Sequence, residues 1–158
     1  MKFIFMKKIQ DLTSIDTRYL IFGSIFSMST KLETIGKDFL GELTTKQWFL
    51  LLNLATFFDE PPSISELSEQ MGTSHQNVKQ IALKLQQKGF LRIKRDEFDN
   101  RTSRLEITDM IERYNDDHRE ANNQFIEKLF DGINPDELKE FLSVTMRLLE
   151  NLDTLRSR

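Results

Sequence analysis

The chain is 158 residues long, 39% apolar, 30% charged and 10% aromatic, the size and make-up of one globular domain and too hydrophobic for intrinsic disorder. It has no cysteine, which excludes a disulfide framework, a thiolate metal site, a thiol nucleophile and a cysteine redox switch. Two histidines, His75 and His118, are too few for the common zinc sites, and three prolines and six glycines argue against a turn-dense all-β chain. No metal and no cofactor are expected.

The first eight residues mix apolar and basic side chains, but the apolar run is only Phe3 to Met6. A secretory signal needs roughly 7–15 apolar residues and a membrane span roughly 20. The expectation is a cytoplasmic, mostly helical protein with no membrane partner. Met6 offers a second start for the chain.

Charge is unevenly placed. Residues 1–74 carry seven Lys/Arg against nine Asp/Glu, residues 75–104 eight against three, and residues 105–158 seven against thirteen. A net charge of −3 thus hides a compact basic block of the kind that binds a polyanion.

From Leu12 to Phe39 the pattern predicts a helix. Leu12, Ile15, Tyr19, Phe22 and Phe26 form one stripe, and Ile25, Met28, Leu32, Ile35 and Phe39 a second, offset one, so that the buried face changes midway. Gly36 and Gly41 are stop signals. Thr44 and Gln47 form a capping box before Trp48, Phe49, Leu51, Leu52 and Ala55, a run apolar enough to predict burial on most sides. Asp59-Glu-Pro-Pro62 ends it.

Ser63 and Glu66 form a second capping box, opening a helix that stops at Gly72. Ser74 caps the next helix, His75 to about Lys88, whose buried stripe is Val78, Ile81, Ala82 and Leu85. Beyond Gly89 the period falls to two. Leu91 and Ile93 alternate with Arg92 and Lys94, a polar tip spans Asp96–Ser103, and Leu105 and Ile107 return: a β-hairpin.

Thr108 or Asp109 can cap a helix presenting Ile111, Tyr114, His118, Ala121, Phe125 and Leu129, broken at Gly132. Asn134, Pro135 and Glu137 then start a last helix. Its seam is Leu138, Phe141, Thr145, Leu148, Leu152 and Leu155. Together with Leu12, Ile15, Tyr19 and Phe22 this is more apolar surface than one small lobe can bury, which predicts a homodimer.

The fold class that results is mostly α with a small β-wing, in one domain over 1–158. Residues 45–108 form a winged helix-turn-helix lobe, and 9–41 and 109–156 dimerisation helices. Measured from its buried stripe, the 75–88 helix turns Gln76, Gln80 and Gln87 outward, with Asn77 and Lys79 flanking and His75 at the rim. Gln and Asn can pair bidentately with adenine, and Lys can reach guanine or phosphate. Leu83 also faces outward, against a thymine methyl or a neighbouring loop. Alone, this face would read as ordinary solvated helix. The hairpin, with Arg92, Lys94, Arg95, Arg101 and Arg104, turns the reading toward DNA, because phosphate contacts release condensed counterions.

Residues 63–108 resemble the MarR family of bacterial transcription regulators. The wing signature, Asp-x-Arg followed by Leu-Thr, stands here as Asp99, Arg101 and Ile107-Thr108, with isoleucine in place of leucine, and the helical flanks match the family's architecture. The resemblance implies a homodimer with interlocked terminal helices whose two lobes bind a pseudo-palindrome in double-stranded DNA, most simply as a repressor. Ser74, His75, Gln76, Asn77, Lys79, Gln80 and Lys84 would lie on DNA from the helix, and Arg95, Asp99, Arg101 and Arg104 from the wing. By position, Arg101 would enter the minor groove and Asp99 would orient the wing by pairing with a nearby cation. A small aromatic effector is also implied, in a pocket near Phe26, Phe49 and His118.

Two other classes compete. An enzyme would need a converging nucleophile and base, whereas Asp116, Asp117, His118 and Glu120 splay around a helix. A winged helix used as a protein-interaction module would want an acidic 75–88 face, and this one is polar and cationic.

Overall fold

A computed structural model describes residues 15–96 and 98–156. Six helices and one hairpin follow in order: α1 (Thr17–Phe39), α2 (Thr45–Phe57), α3 (Ile64–Gln70), α4 (His75–Gln87), β1 (Leu91–Arg95), β2 (Ser103–Ile107), α5 (Met110–Leu129) and α6 (Pro135–Arg156). Two compact units divide the chain, 1–119 and 120–158, with the boundary inside α5. No helix among the described residues is long and apolar enough to cross a membrane.

The first unit is built around α2, α3, α4 and the hairpin. Both predicted capping boxes form. The Thr44 hydroxyl accepts from Gln47 N at 3.3 Å while Gln47 Oε1 accepts from Thr44 N at 3.1 Å. Ser63 and Glu66 exchange the same pair of bonds. Each box satisfies two of the N–H groups that a helix start leaves unpaired. Ser74 caps α4 by accepting from Asn77 N.

The α4 stripe Val78, Ile81, Ala82 and Leu85 is buried as expected, and with Leu43, Leu50, Leu67, Phe90, Leu91 and Leu105 it forms the core. Phe90 lies edge-on to Tyr114, ring centroids 5.6 Å apart, an arrangement the ring quadrupoles favour. The strands pair antiparallel, Leu91 with Ile107 through Arg95 with Ser103, so the apolar positions share the core face. Leu105 N donates to Pro62 O at 2.9 Å, and Ser63 bridges Arg104. The loop before α3 is therefore tied to β2 by a single isolated bridge.

Several expectations change. The first helix starts at Thr17, because the Asp16 carboxylate accepts from Arg18 N and caps it. Ile15 precedes the helix, and Leu12 lies outside the described residues. The helix does not stop at Gly36, which is buried where Thr45 comes close. The turn comes at Gly41, with φ +51°, a conformation that costs glycine little. A Cβ at this position would lie 2.5 Å from His118 Nε2, so the site is closed to larger residues twice over.

Neither α1 stripe is buried within the chain: Tyr19 is 74% exposed, Phe22 and Phe26 61% each, and Ile25, Met28, Leu32 and Ile35 are also exposed. Nor is α2 buried on most sides. Gln47, Leu50, Leu51, Asn53 and Leu54 face inward, while Phe49, Leu52 and Phe57 are exposed. Apolar continuity records that a face avoids water, not which chain covers it.

In the second unit, Asn134 caps α6 by accepting from Asp136 N and Glu137 N at 3.0 Å, and Glu137 returns a bond to Asn134 N. The α6 seam is uncovered at Phe141, Leu148, Leu152 and Leu155. The exposed apolar band is wider than the seam, taking in Leu142, Met146 and Leu149.

Candidate nucleic-acid interface

The predicted face of α4 is open. His75, Gln76, Asn77, Lys79, Gln80 and Lys84 are all exposed, and Leu83 shares their surface. Two of the positions have structural duties as well. The Ser74 hydroxyl is the helix cap, and Asn77 Nδ2 donates to Thr73 Oγ1 at 3.0 Å, tying α4 to the turn before it.

The basic block divides into cations that are spent inside the protein and cations that are not. Lys88 donates to Glu42 O, and to Gln47 Oε1 at 3.0 Å, fastening the end of α4 to the start of α2. Lys94 and Arg104 stand directly opposite across the hairpin, a destabilising juxtaposition of like charge. Each is relieved by its own carboxylate: Lys94 pairs with Glu106, and Arg104 Nε donates to Asp96 Oδ2 at 2.6 Å. Arg104 Nη1 also reaches Glu66 Oε2 at 3.0 Å.

Arg104, expected on DNA, stands at the root of the wing, where its ion pairs join the hairpin to α3. Arg92 lies opposite Glu106 and contributes to its field. Among the described residues, Lys79, Lys84, Arg95 and Arg101 form no side-chain ion pair.

Asp99 does not take the cation-pairing role that the resemblance implies for it. Asp99 makes no ion pair among the described residues. Its Oδ1 accepts from Arg101 N and its Oδ2 from the Thr102 hydroxyl, both at 2.9 Å, so it shapes the turn through neutral donors. The cation partner is Asp96, which no motif marked. Arg104, and then the N–H groups of Phe98 and Asp99, hold its carboxyl below the usual range. An acid eight residues before an arginine, across a hairpin tip, is the one signal that could have singled it out.

Of the three residues expected around an effector, His118 lines a cleft beside the hairpin. This cleft of about 640 Å³ is lined by His118, Tyr114, Arg92, Arg113 and Met110, among others, but by neither Phe26 nor Phe49. His118 stacks on Tyr114, centroids 4.3 Å apart, and its Nδ1 lies 3.0 Å from Tyr114 O. The buried Tyr114 hydroxyl donates to Leu40 O at 3.0 Å, and burial pushes its pKa up to about 12, with Glu42 adding to the effect.

Residues 42–102 match the sequence profile of the MarR family. No curated protein sequence matches the chain. The chain is similar in structure to a MarR protein from Peptoclostridium difficile, with 22% identity and a TM-score of 0.74 over 90% of this chain and 92% of that one. The PcaV transcriptional regulator from Streptomyces coelicolor, solved with its natural ligand, shares 17% identity with a TM-score of 0.69, over 88% and 94% of the two chains. FabT from Streptococcus pneumoniae, solved in complex with DNA, shares 19% identity with a TM-score of 0.64, over 89% and 99%. At these identities the likeness speaks for the fold. Residues 42–102 are thus similar in sequence to the MarR family, and the chain shares the fold of a solved MarR protein.

Proposed function

We propose that the protein is a cytoplasmic repressor that binds a pseudo-palindromic operator as a homodimer and is released by a small aromatic ligand. One observation carries the DNA reading. An exposed, amide-bearing face on α4 packs beside a wing whose Arg95 and Arg101 have no ion-pair partner among the described residues. Amides at the start of a helix suit base edges in the major groove, and unpaired guanidinium groups suit phosphate and the narrow minor groove.

The apolar faces of α1 and α6, each uncovered in the single chain, support the dimer, since monomers rarely leave such bands to water. A dimer seated over a promoter blocks polymerase, which is why the reading is repression. The cleft lined by His118 and Tyr114 has a volume suited to a small aromatic molecule. That FabT was solved with DNA and PcaV with its natural ligand is consistent with both halves of this reading.

The test is selection of duplexes from a random pool, followed by titration at several salt concentrations. The expected result is a site with two-fold symmetry and half-site centres ~10 bp apart, bound with a steep salt dependence. Failure to enrich any sequence would overturn the reading.

A further inference from the structure

Phe98 has no part in the interface described above. It is 99% exposed, the most exposed large apolar side chain among the described residues. Most of the other exposed apolar residues lie along helices, whereas Phe98 stands alone in a charged hairpin tip. A solvated phenylalanine on a loose loop would mean little. This one is on a tip held by its own hydrogen bonds.

Asp96 Oδ1 accepts from Phe98 N and Asp99 N at 2.9 Å each. Asp96 N donates to Thr102 O at 3.0 Å, and Thr102 N to Asp99 O at 2.9 Å. Arg104 holds the other oxygen of Asp96 and, through Glu66, fastens the assembly to α3. The tip's two described carboxylates, Asp96 and Asp99, are thereby occupied by donors of the wing itself. Arg95 and Arg101, three residues to either side of Phe98, are not engaged with a carboxylate among the described residues. The tip offers outward an aromatic ring flanked by two guanidinium groups that no described carboxylate engages.

We propose that Phe98 is a wedge. The ring enters the DNA minor groove beside Arg101 and inserts partway into a deformable pyrimidine–purine step, while the flanking guanidinium groups hold the phosphates. The proposal rests on the DNA-binding reading and adds a mode of recognition to it. Apolar wedges driven between base steps unstack and kink the duplex, and such steps yield most easily. A ring presented on a fixed turn loses little further freedom on insertion. An acidic protein surface would also meet the arginines, but a ring set between two guanidinium groups matches base stacking flanked by phosphates, which a base step supplies together.

The experiment uses duplexes selected by the wild-type protein, with 2-aminopurine placed at successive positions in the flanks that the wings reach. Wild type is expected to raise the fluorescence at one step in each flank. Phe98→Ala should abolish that rise and weaken binding on the order of a hundredfold, the scale of two lost base–aromatic stacks, one from each wing of the dimer. Phe98→Leu, which keeps apolar bulk, should retain most of both. Melting temperatures of both variants should match wild type, because the ring buries nothing in the free protein.

If wild type selects no duplex, the DNA-binding reading itself fails. If it does, and Phe98→Ala binds as tightly with the same fluorescence rise, the wedge alone is overturned and Phe98 passes to a protein partner. A loss of affinity with the fluorescence rise intact also overturns the wedge.

Discussion

Arg104 and Asp96 meet across the base of the hairpin tip, Nε to Oδ2 at 2.6 Å, and the same guanidinium reaches Glu66 at the start of α3. One arginine thus fixes both the shape of the wing and its attachment to the lobe. Arg104→Ala is expected to increase amide exchange over residues 91–107 and to weaken DNA binding through lost geometry. Asp96→Ala should do the same, and the double variant should be no worse than either single one. Additive losses, measured by exchange and by affinity, would show that the two residues act separately.

Arg101 should behave differently. Its backbone N–H is held by Asp99, while its side chain has no ion-pair partner among the described residues. Arg101→Ala should cost on the order of 1–3 kcal/mol of DNA binding, more on sites with A·T-rich flanks, with the melting temperature unchanged. Arg101→Lys should recover only part of the loss, since an ammonium is more strongly hydrated than a guanidinium.

Base reading and backbone binding should separate on α4. Gln76→Ala is expected to relax base preference with little change in binding to random DNA. Lys79→Ala and Lys84→Ala should weaken binding to all sequences and reduce the salt slope by about two each, one phosphate contact per protomer of the dimer. Asn77→Ala removes the bond to Thr73 as well, so it alone of the four should also lower the melting temperature.

The wing should be sensitive to acid. Asp96 is held below the carboxylate range by Arg104, Glu66 by its bonds to Ser63, and Glu106 by Lys94. A lowered folded pKa stabilises above the unfolded value, near 4, and the contribution disappears as pH falls through the folded value. Exchange at residues 91–107 should therefore rise below about pH 4, while the α4 core stays protected. Tyr114 has the opposite sign. Its pKa is raised to about 12, so its stabilisation is complete below the usual value of about 10 and lost as pH rises toward the folded value. Ultraviolet titration should show a tyrosinate step near 12 that Tyr114→Phe removes.

The α6 seam provides the oligomer test. Leu148→Glu places a charge within the exposed apolar band, where a dimer would bury it unpaired. Sedimentation should show a dimer for wild type and a monomer for the variant. A stable wild-type monomer at micromolar concentration would remove the dimer from the proposed function.

Local chemistry made much of the lobe legible. The Thr44 and Ser63 boxes, the Ser74 cap and the α4 stripe rest on contacts within a few residues, which spacing encodes directly. Errors arose where a partner lies far along the chain. Periodicity carried α1 back through Ile15 because it cannot register that the Asp16 carboxylate prefers Arg18 N. Gly36 looked like a stop because Thr45, which it accommodates, is visible only after α1 and α2 pack. The motif marks Asp99 as the partner of a cation, but ion pairing follows the strand register, which places Arg104 within reach of Asp96. The exposure of Phe49 and Leu52 was equally hidden, since hydrophobicity does not name its partner.

The bond from Leu105 to Pro62 and the bridge from Ser63 to Arg104 have a mechanical consequence. They make the hairpin an extension of the loop that leads into α3, and α3 packs on α4. On the proposed DNA binding, these contacts would hold the separation between wing tip and helix face close to one setting, as in a caliper. A duplex whose groove spacing differs from that setting must bend to fit, and the work of bending falls on the DNA. Sequence would then be discriminated by stiffness at base pairs the protein never touches.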